Sequence, residues 1–124
     1  TLSIETDAVD TDIVVKLVDV HPDGFAQDLV TGILRGRFRK SRSTPELLTP
    51  GKVHEWKVDM THVSNRFLAG HRIRVDVSGS CFPTYDRNPN TGHAIGLDDG
   101  MRTAKQVVYH SRQYPSRIVL PVIP

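Results

Sequence analysis

Few residues of this 124-residue chain could do chemistry, and their spacing withholds more than it offers. Hydrolysis by a serine nucleophile needs the hydroxyl on a strained strand-to-helix turn, typically G-x-S-x-G. The nearest run, Val77-Ser78-Gly79-Ser80-Cys81, lacks the first glycine, and none of the six histidines can be assigned as its base. Asp86, Asn88 and Asn90 fall at i, i+2 and i+4, like the opening of a calcium loop. Thr91 stands where that loop demands glycine and Leu97 where it demands a bidentate glutamate, so these side chains read as turn caps. His71 and Arg72 follow Gly70 at a strand start. With no partner motif, His71 reads as a hydrogen-bonded edge residue rather than a ligand or base. Trp56 shares a face with His54 and reads as a core anchor, a sugar platform being the sharper alternative. Nothing near Cys81, the sole cysteine, is placed to make it a thiolate. No metal and no cofactor are expected.

One loop, residues 78–92, is richer in contact groups than any other part of the chain. It reads SGSCFPTYDRNPNTG. Scaffolds carry their working groups on such loops. Phe82, Pro83, Tyr85, Asp86, Arg87, Asn88 and Asn90 are the candidates for interdomain docking or for lining a substrate entrance. Interdomain interfaces mix apolar anchors with polar pairs in this way. The competing reading folds the loop over its own domain. Trp56, Gly70, His71 and Arg72 are taken as structural.

The elements that hold this loop have a period of two almost throughout. Residues 2–5 open as a short strand. Asp12–Val20 is a second, and the turn His21-Pro22-Asp23-Gly24 leads to a third over 29–39. The last two pair as a hairpin. Arg35, Arg37 and Arg39 on one side of the third strand, with Lys40 and Arg42, form a basic stripe. A fourth strand covers 52–60, with His54, Trp56, Val58 and Met60 inward. Strict alternation over 71–78, with Ile73, Val75 and Val77 on one face, marks a half-buried antiparallel strand. Strands over 103–110 and 117–122 complete the set. No segment keeps a helical period over three turns. The expected fold is all-β: a two-sheet antiparallel β-sandwich of jelly-roll, galactose-binding-like topology, in a single domain over 1–124.

Composition excludes several classes. The 16 basic and 14 acidic residues nearly balance, leaving +2, too little to argue for nucleic acid. No apolar run approaches the ~20 residues of a membrane span. A single cysteine permits no internal disulfide and suits a cytoplasmic location. The alternation is already under way at Thr1, so a fragment of a longer polypeptide is expected.

Six runs, taken in order, resemble the C-terminal non-catalytic domain of the X-Pro dipeptidyl-peptidase, cocaine esterase and α-amino acid ester hydrolase family of serine hydrolases. They are residues 10–12 (DTD), 16–24 (KLVDVHPDG), 35–39 (RGRFR), 67–73 (FLAGHRI), 82–92 (FPTYDRNPNTG) and 116–121 (SRIVLP). Val9, Ala69 and Cys81 depart from the family pattern only locally. The resemblance implies a parent enzyme with an upstream α/β-hydrolase domain in cis. That domain would carry a Ser-His-Asp triad and cleave amides or esters of small acyl or X-Pro substrates through an acyl-enzyme. This chain would support it and shape the substrate entrance, with no catalytic residue of its own. A carbohydrate-binding jelly-roll module is the alternative, and an oligomer contact through Phe82 and Tyr85 a third reading.

Overall fold

A computed structural model describes residues 1–123; Pro124, the last residue of the expected domain, lies outside them. Six strands form: β1 (Leu2–Thr6), β2 (Asp12–Val20), β3 (Ala26–Arg35), β4 (Val53–Trp56), β5 (Arg72–Ser78) and β6 (Gln106–Tyr109). They make two three-stranded sheets, ordered β4-β1-β6 and β3-β2-β5. β1 runs antiparallel to β4 and β6, and β2 antiparallel to β5. Among the described residues there is no α-helix. The all-β, two-sheet antiparallel class read from the period-two pattern is the observed one. The chain divides into two compact units, each taken separately below.

The first unit comprises residues 1–11, 35–57 and the described residues from 88 on. β1 is its central strand, and Ile4, Ala8, Leu48 and Trp56 are its buried apolar residues. Gly36 fits this core closely. A Cβ there would lie 2.8 Å from Leu48 Cδ1 and 2.9 Å from Trp56 Cη2. Its N–H donates to the Thr11 carbonyl at 2.8 Å. The fully buried Asp10 carboxylate takes the Arg37 N–H at 2.9 Å and Arg37 Nε at 2.8 Å.

These bonds end the third strand early. It stops at Arg35, and Gly36–Phe38 form a 3-10 turn. The expected strand over 29–39 is therefore corrected, and with it the basic stripe. Arg37 turns to Asp10, while Arg39 and Lys40 both reach Glu46. The fourth strand shrinks to Val53–Trp56 and the strand over 103–110 to Gln106–Tyr109. Residues 117–122 form no strand. Only Arg117 meets β1's end, through Thr1, beside an isolated bridge between His110 and Pro115. Pro115 and Pro121 each remove a backbone donor that a longer ladder would need.

The second unit comprises residues 12–34 and 58–87. β2 is central in its sheet and buried on both faces: Val14 and Val18 on one, Val15, Leu17 and Asp19 on the other. β5 lies at the sheet's edge with β2 as its one neighbour. Its register sets Val77, Val75 and Ile73 opposite Val15, Leu17 and Asp19. The alternation was legible, yet this apolar row is only partly covered. Ile73 is 52% exposed, Val75 37% and Val77 39%. An edge strand gains cover from one side only, and among the described residues nothing completes it.

Two substitutions test the first unit's packing. Gly36→Ala should cost about 1–3 kcal/mol, since the new methyl overpacks a closed site. Arg37→Met should cost about 3–5 kcal/mol by leaving a buried carboxylate without its cation. Urea unfolding of the chain measures both, and losses below about 0.5 kcal/mol would refute the assigned contacts.

Candidate functional site

The densest gathering of chemical groups lies at one end of the β2–β5 ladder, in the second unit. Two turns build it. After β2, His21 N–H donates to the Phe25 carbonyl at 2.8 Å and Gly24 N–H to the His21 carbonyl at 3.0 Å. Gly24, at φ +91°, supplies the left-handed residue that this turn requires. Before β5, His71 N–H donates to the Leu68 carbonyl at 3.0 Å, and Gly70 sits at φ +86°. The ladder pairs Val20 with Arg72. His21 and His71 therefore come opposite each other one step further on, on the face that Asp19 also occupies.

The side chains meet there. His71 Nδ1 lies 2.9 Å from Asp19 Oδ1, and Asn65 Nδ2 donates to Asp19 Oδ2 at 3.3 Å. The two imidazoles lie with centroids 4.2 Å apart and planes inclined by 37°. Phe25 closes the outer side of His21, edge-on at 5.1 Å. Asp19 is buried, and the two histidines are half-buried. Burial opposes ionisation of Asp19, but the hydrogen bonds from His71 and Asn65 outweigh it and hold the carboxyl below its ordinary value. An aspartate orienting an imidazole supplies two of the three groups of a hydrolytic triad. Among the described residues no serine hydroxyl is hydrogen-bonded to an imidazole. One ligand atom each from Asp19, His21 and His71 lies within 4.8 Å of the other two.

Sequence reading singled out His71 but missed its partners. The available signal was Asp19-x-His21, two groups of one parity at a strand end. Their meeting with His71 depends on a register 52 residues away in sequence.

The docking candidates divide between the units. Phe82 is 62% exposed, Pro83, Asp86 and Arg87 are exposed, and Tyr85 is half-buried. The Arg87 guanidinium lies 4.9 Å over the Phe82 ring. These belong to the second unit. Asn88 and Asn90 belong to the first and bond inside it. Asn88 is buried, its amide donating to Asp10 at 3.0 Å, and its Oδ1 accepts the Asn90 N–H at 2.9 Å. Asn90, at φ +64°, donates through its amide to the Arg102 carbonyl at 2.8 Å. Both side chains thus hydrogen-bond within this unit, Asn88 also closing the turn to Asn90. Trp56 is fully buried, with an unpaired Nε1, which removes it as a sugar platform. His54 Nε2 accepts the Thr49 N–H, and burial beside Arg39 lowers its pKa.

Beyond Asn90 the loop is organised by Asp98. It accepts hydrogen bonds from the Thr91 hydroxyl and from the Gly100 N–H, and contacts His93 Nδ1 at 3.1 Å. The Thr91 hydrogen bond leads in holding its carboxyl below the ordinary range. A carboxylate whose folded pKa is depressed contributes stability above its unfolded value, near pH 4, and loses it as pH falls through the lower folded value. Acidification below about pH 4 should therefore loosen residues 88–102, read as faster amide exchange or proteolysis. Asp98→Asn should start looser at pH 7 and show a flatter acid response. An unchanged acid profile in that variant would exclude Asp98 as the controlling group.

Comparison with known proteins assigns the chain to a family. Residues 1–119 match the family model described as the X-Pro dipeptidyl-peptidase C-terminal non-catalytic domain. Cocaine esterase of Rhodococcus sp. (strain MB1 Bresler) is 48% identical over 98% of this chain and 22% of its own length. The crystal structure of an aminopeptidase from a marine sediment Thaumarchaeota archaeon superposes with a TM-score of 0.87 and 40% identity, covering 92% of this chain and 21% of that one. A selenomethionine-labelled α-amino acid ester hydrolase does so at 0.82 and 34%, covering 94% and 22%. The chain thus spans about a fifth of the length of the relatives it matches. It belongs to the family of C-terminal non-catalytic domains of X-Pro dipeptidyl-peptidase-like enzymes.

Proposed function

We propose that this chain supports an α/β-hydrolase catalytic domain in the same polypeptide, packing against it and forming part of the wall around its substrate entrance. The observation that carries the proposal is the row Ile73, Val75 and Val77, an apolar sheet face left half-open at an edge strand. Single exposed apolar residues are ordinary, but a contiguous row marks an interaction surface. The relatives are about five times longer than this chain, and a catalytic domain is the occupant that their length supplies. Phe82, Tyr85 and Arg87, exposed or half-buried in the same unit, extend the contact as an apolar and cationic rim. The parent is a serine hydrolase acting through an acyl-enzyme. The 48% identity to an esterase favours esters over X-Pro amides. The lone thiol Cys81 favours a cytoplasmic location.

The purified chain should turn over neither activated esters nor X-Pro anilides. In the full-length parent, Val75→Asp and the pair Phe82→Ser/Tyr85→Ser should lower kcat/KM by up to about 100-fold, the scale set by an ångström of misplacement at a reacting centre. Thermal unfolding should separate into two transitions as docking weakens. Parent activity and melting that withstand both changes would sink the docking role. A change confined to molecular mass in solution would instead assign these residues to a subunit contact.

A further inference from the structure

We propose that Asp19, His21 and His71 form a binding site for a divalent transition-metal ion of the zinc class, independent of the docking role above. The three donor groups converge without help from any other element. β2 carries Asp19, the turn after it carries His21, and the turn before β5 carries His71. Their ligand atoms lie within 4.8 Å of one another. Zinc holds nitrogen and oxygen donors at about 2.0–2.2 Å, so tetrahedral coordination needs each donor to move inward by less than about 1 Å. Two imidazoles and one carboxylate suit zinc, cobalt or nickel, whereas calcium and magnesium prefer oxygen cages.

Three further observations fit a ligand set. Neither ring nitrogen of His21 takes a hydrogen bond from another described residue, although the ring is held between His71 and Phe25. Asn65 donates to the Asp19 oxygen that His71 leaves free, as outer-shell partners orient metal-binding carboxylates. The cluster is half-open to solvent, which gives an ion a route in and leaves a fourth position for water. The other histidine–aspartate contact among the described residues, His93 with Asp98, offers only two such donors, and its histidine is 70% exposed. Bound metal would clamp the turn after β2 and the segment holding Asn65 to the end of the sheet, beside the apolar row.

The test is titration of the metal-free 124-residue chain with zinc chloride by calorimetry, and with cobalt chloride by visible d–d absorption. One equivalent should bind saturably and raise the melting temperature. His21→Gln should weaken zinc binding at least about tenfold while leaving the far-ultraviolet circular dichroism unchanged, since the backbone hydrogen bonds of His21 survive the change and its imidazole makes none with another described residue. Asn65→Ala should weaken it by about 10–100-fold. His93→Gln should bind as the parent chain does. Asp19→Asn and His71→Gln test the remaining ligands where they fold. Absence of saturable uptake, or equal zinc affinity in the parent chain and His21→Gln, would overturn the proposal.

Discussion

The pairing of β2 with β5 is the constraint on which the second unit depends. With Val20 opposite Arg72, the histidines that flank this pair come face to face, and Asp19 lies on their side of the sheet. The same register lays Ile73, Val75 and Val77 beside Asp19, Leu17 and Val15, producing one continuous apolar row that ends in the polar cluster. A slip of one residue would send every side chain of β5 to the opposite face. The row and the cluster would then be lost together. Buried valines on both faces of β2 make such a slip costly, because the strand has no polar face to offer water.

Each unit also contains a buried aspartate that organises a loop. Asp10 draws in Arg37 and Asn88, fixing the 3-10 turn and the start of the polar loop after it. Asp19 draws in His71 and Asn65. A carboxylate removed from water must be met by donors in good geometry, or its burial costs several kcal/mol. The donors come from segments far away in sequence. Once made, these bonds leave the loops few alternative conformations. Gly36 adds a steric condition, since only a residue without Cβ lets the chain pass between Leu48 and Trp56.

Under the proposed docking role, this domain would act on catalysis through position. A partly covered apolar row gains its remaining burial only against another surface, so its hydrophobic free energy is available for docking. Phe82, stacked under Arg87, presents both apolar area and charge at the same unit's surface. The Asp19 cluster stands at the end of that row, so stiffening of its turns would reach the proposed docking face.

Much of this was legible in the chain itself. Alternation placed β2 at its observed bounds and β5 within one residue, because side chains on a strand change face at every step. Pro22 with Gly24, and Gly70, marked the turns, because backbone dihedrals are local. The order of six short runs identified the family. The rest required long-range contact. That the third strand stops at Arg35 depends on Asp10, Leu48 and Trp56, none of them near in sequence, so the alternating arginines read as a stripe that never forms. That Ile73, Val75 and Val77 remain half-open depends on β5 being an edge, which is a property of sheet order rather than of any residue. Asp19 and His21 looked unremarkable until the fold set His71 opposite them. Local sequence determines what each segment can be, whereas burial and partnership belong to pairs of segments and exist only once the chain has closed.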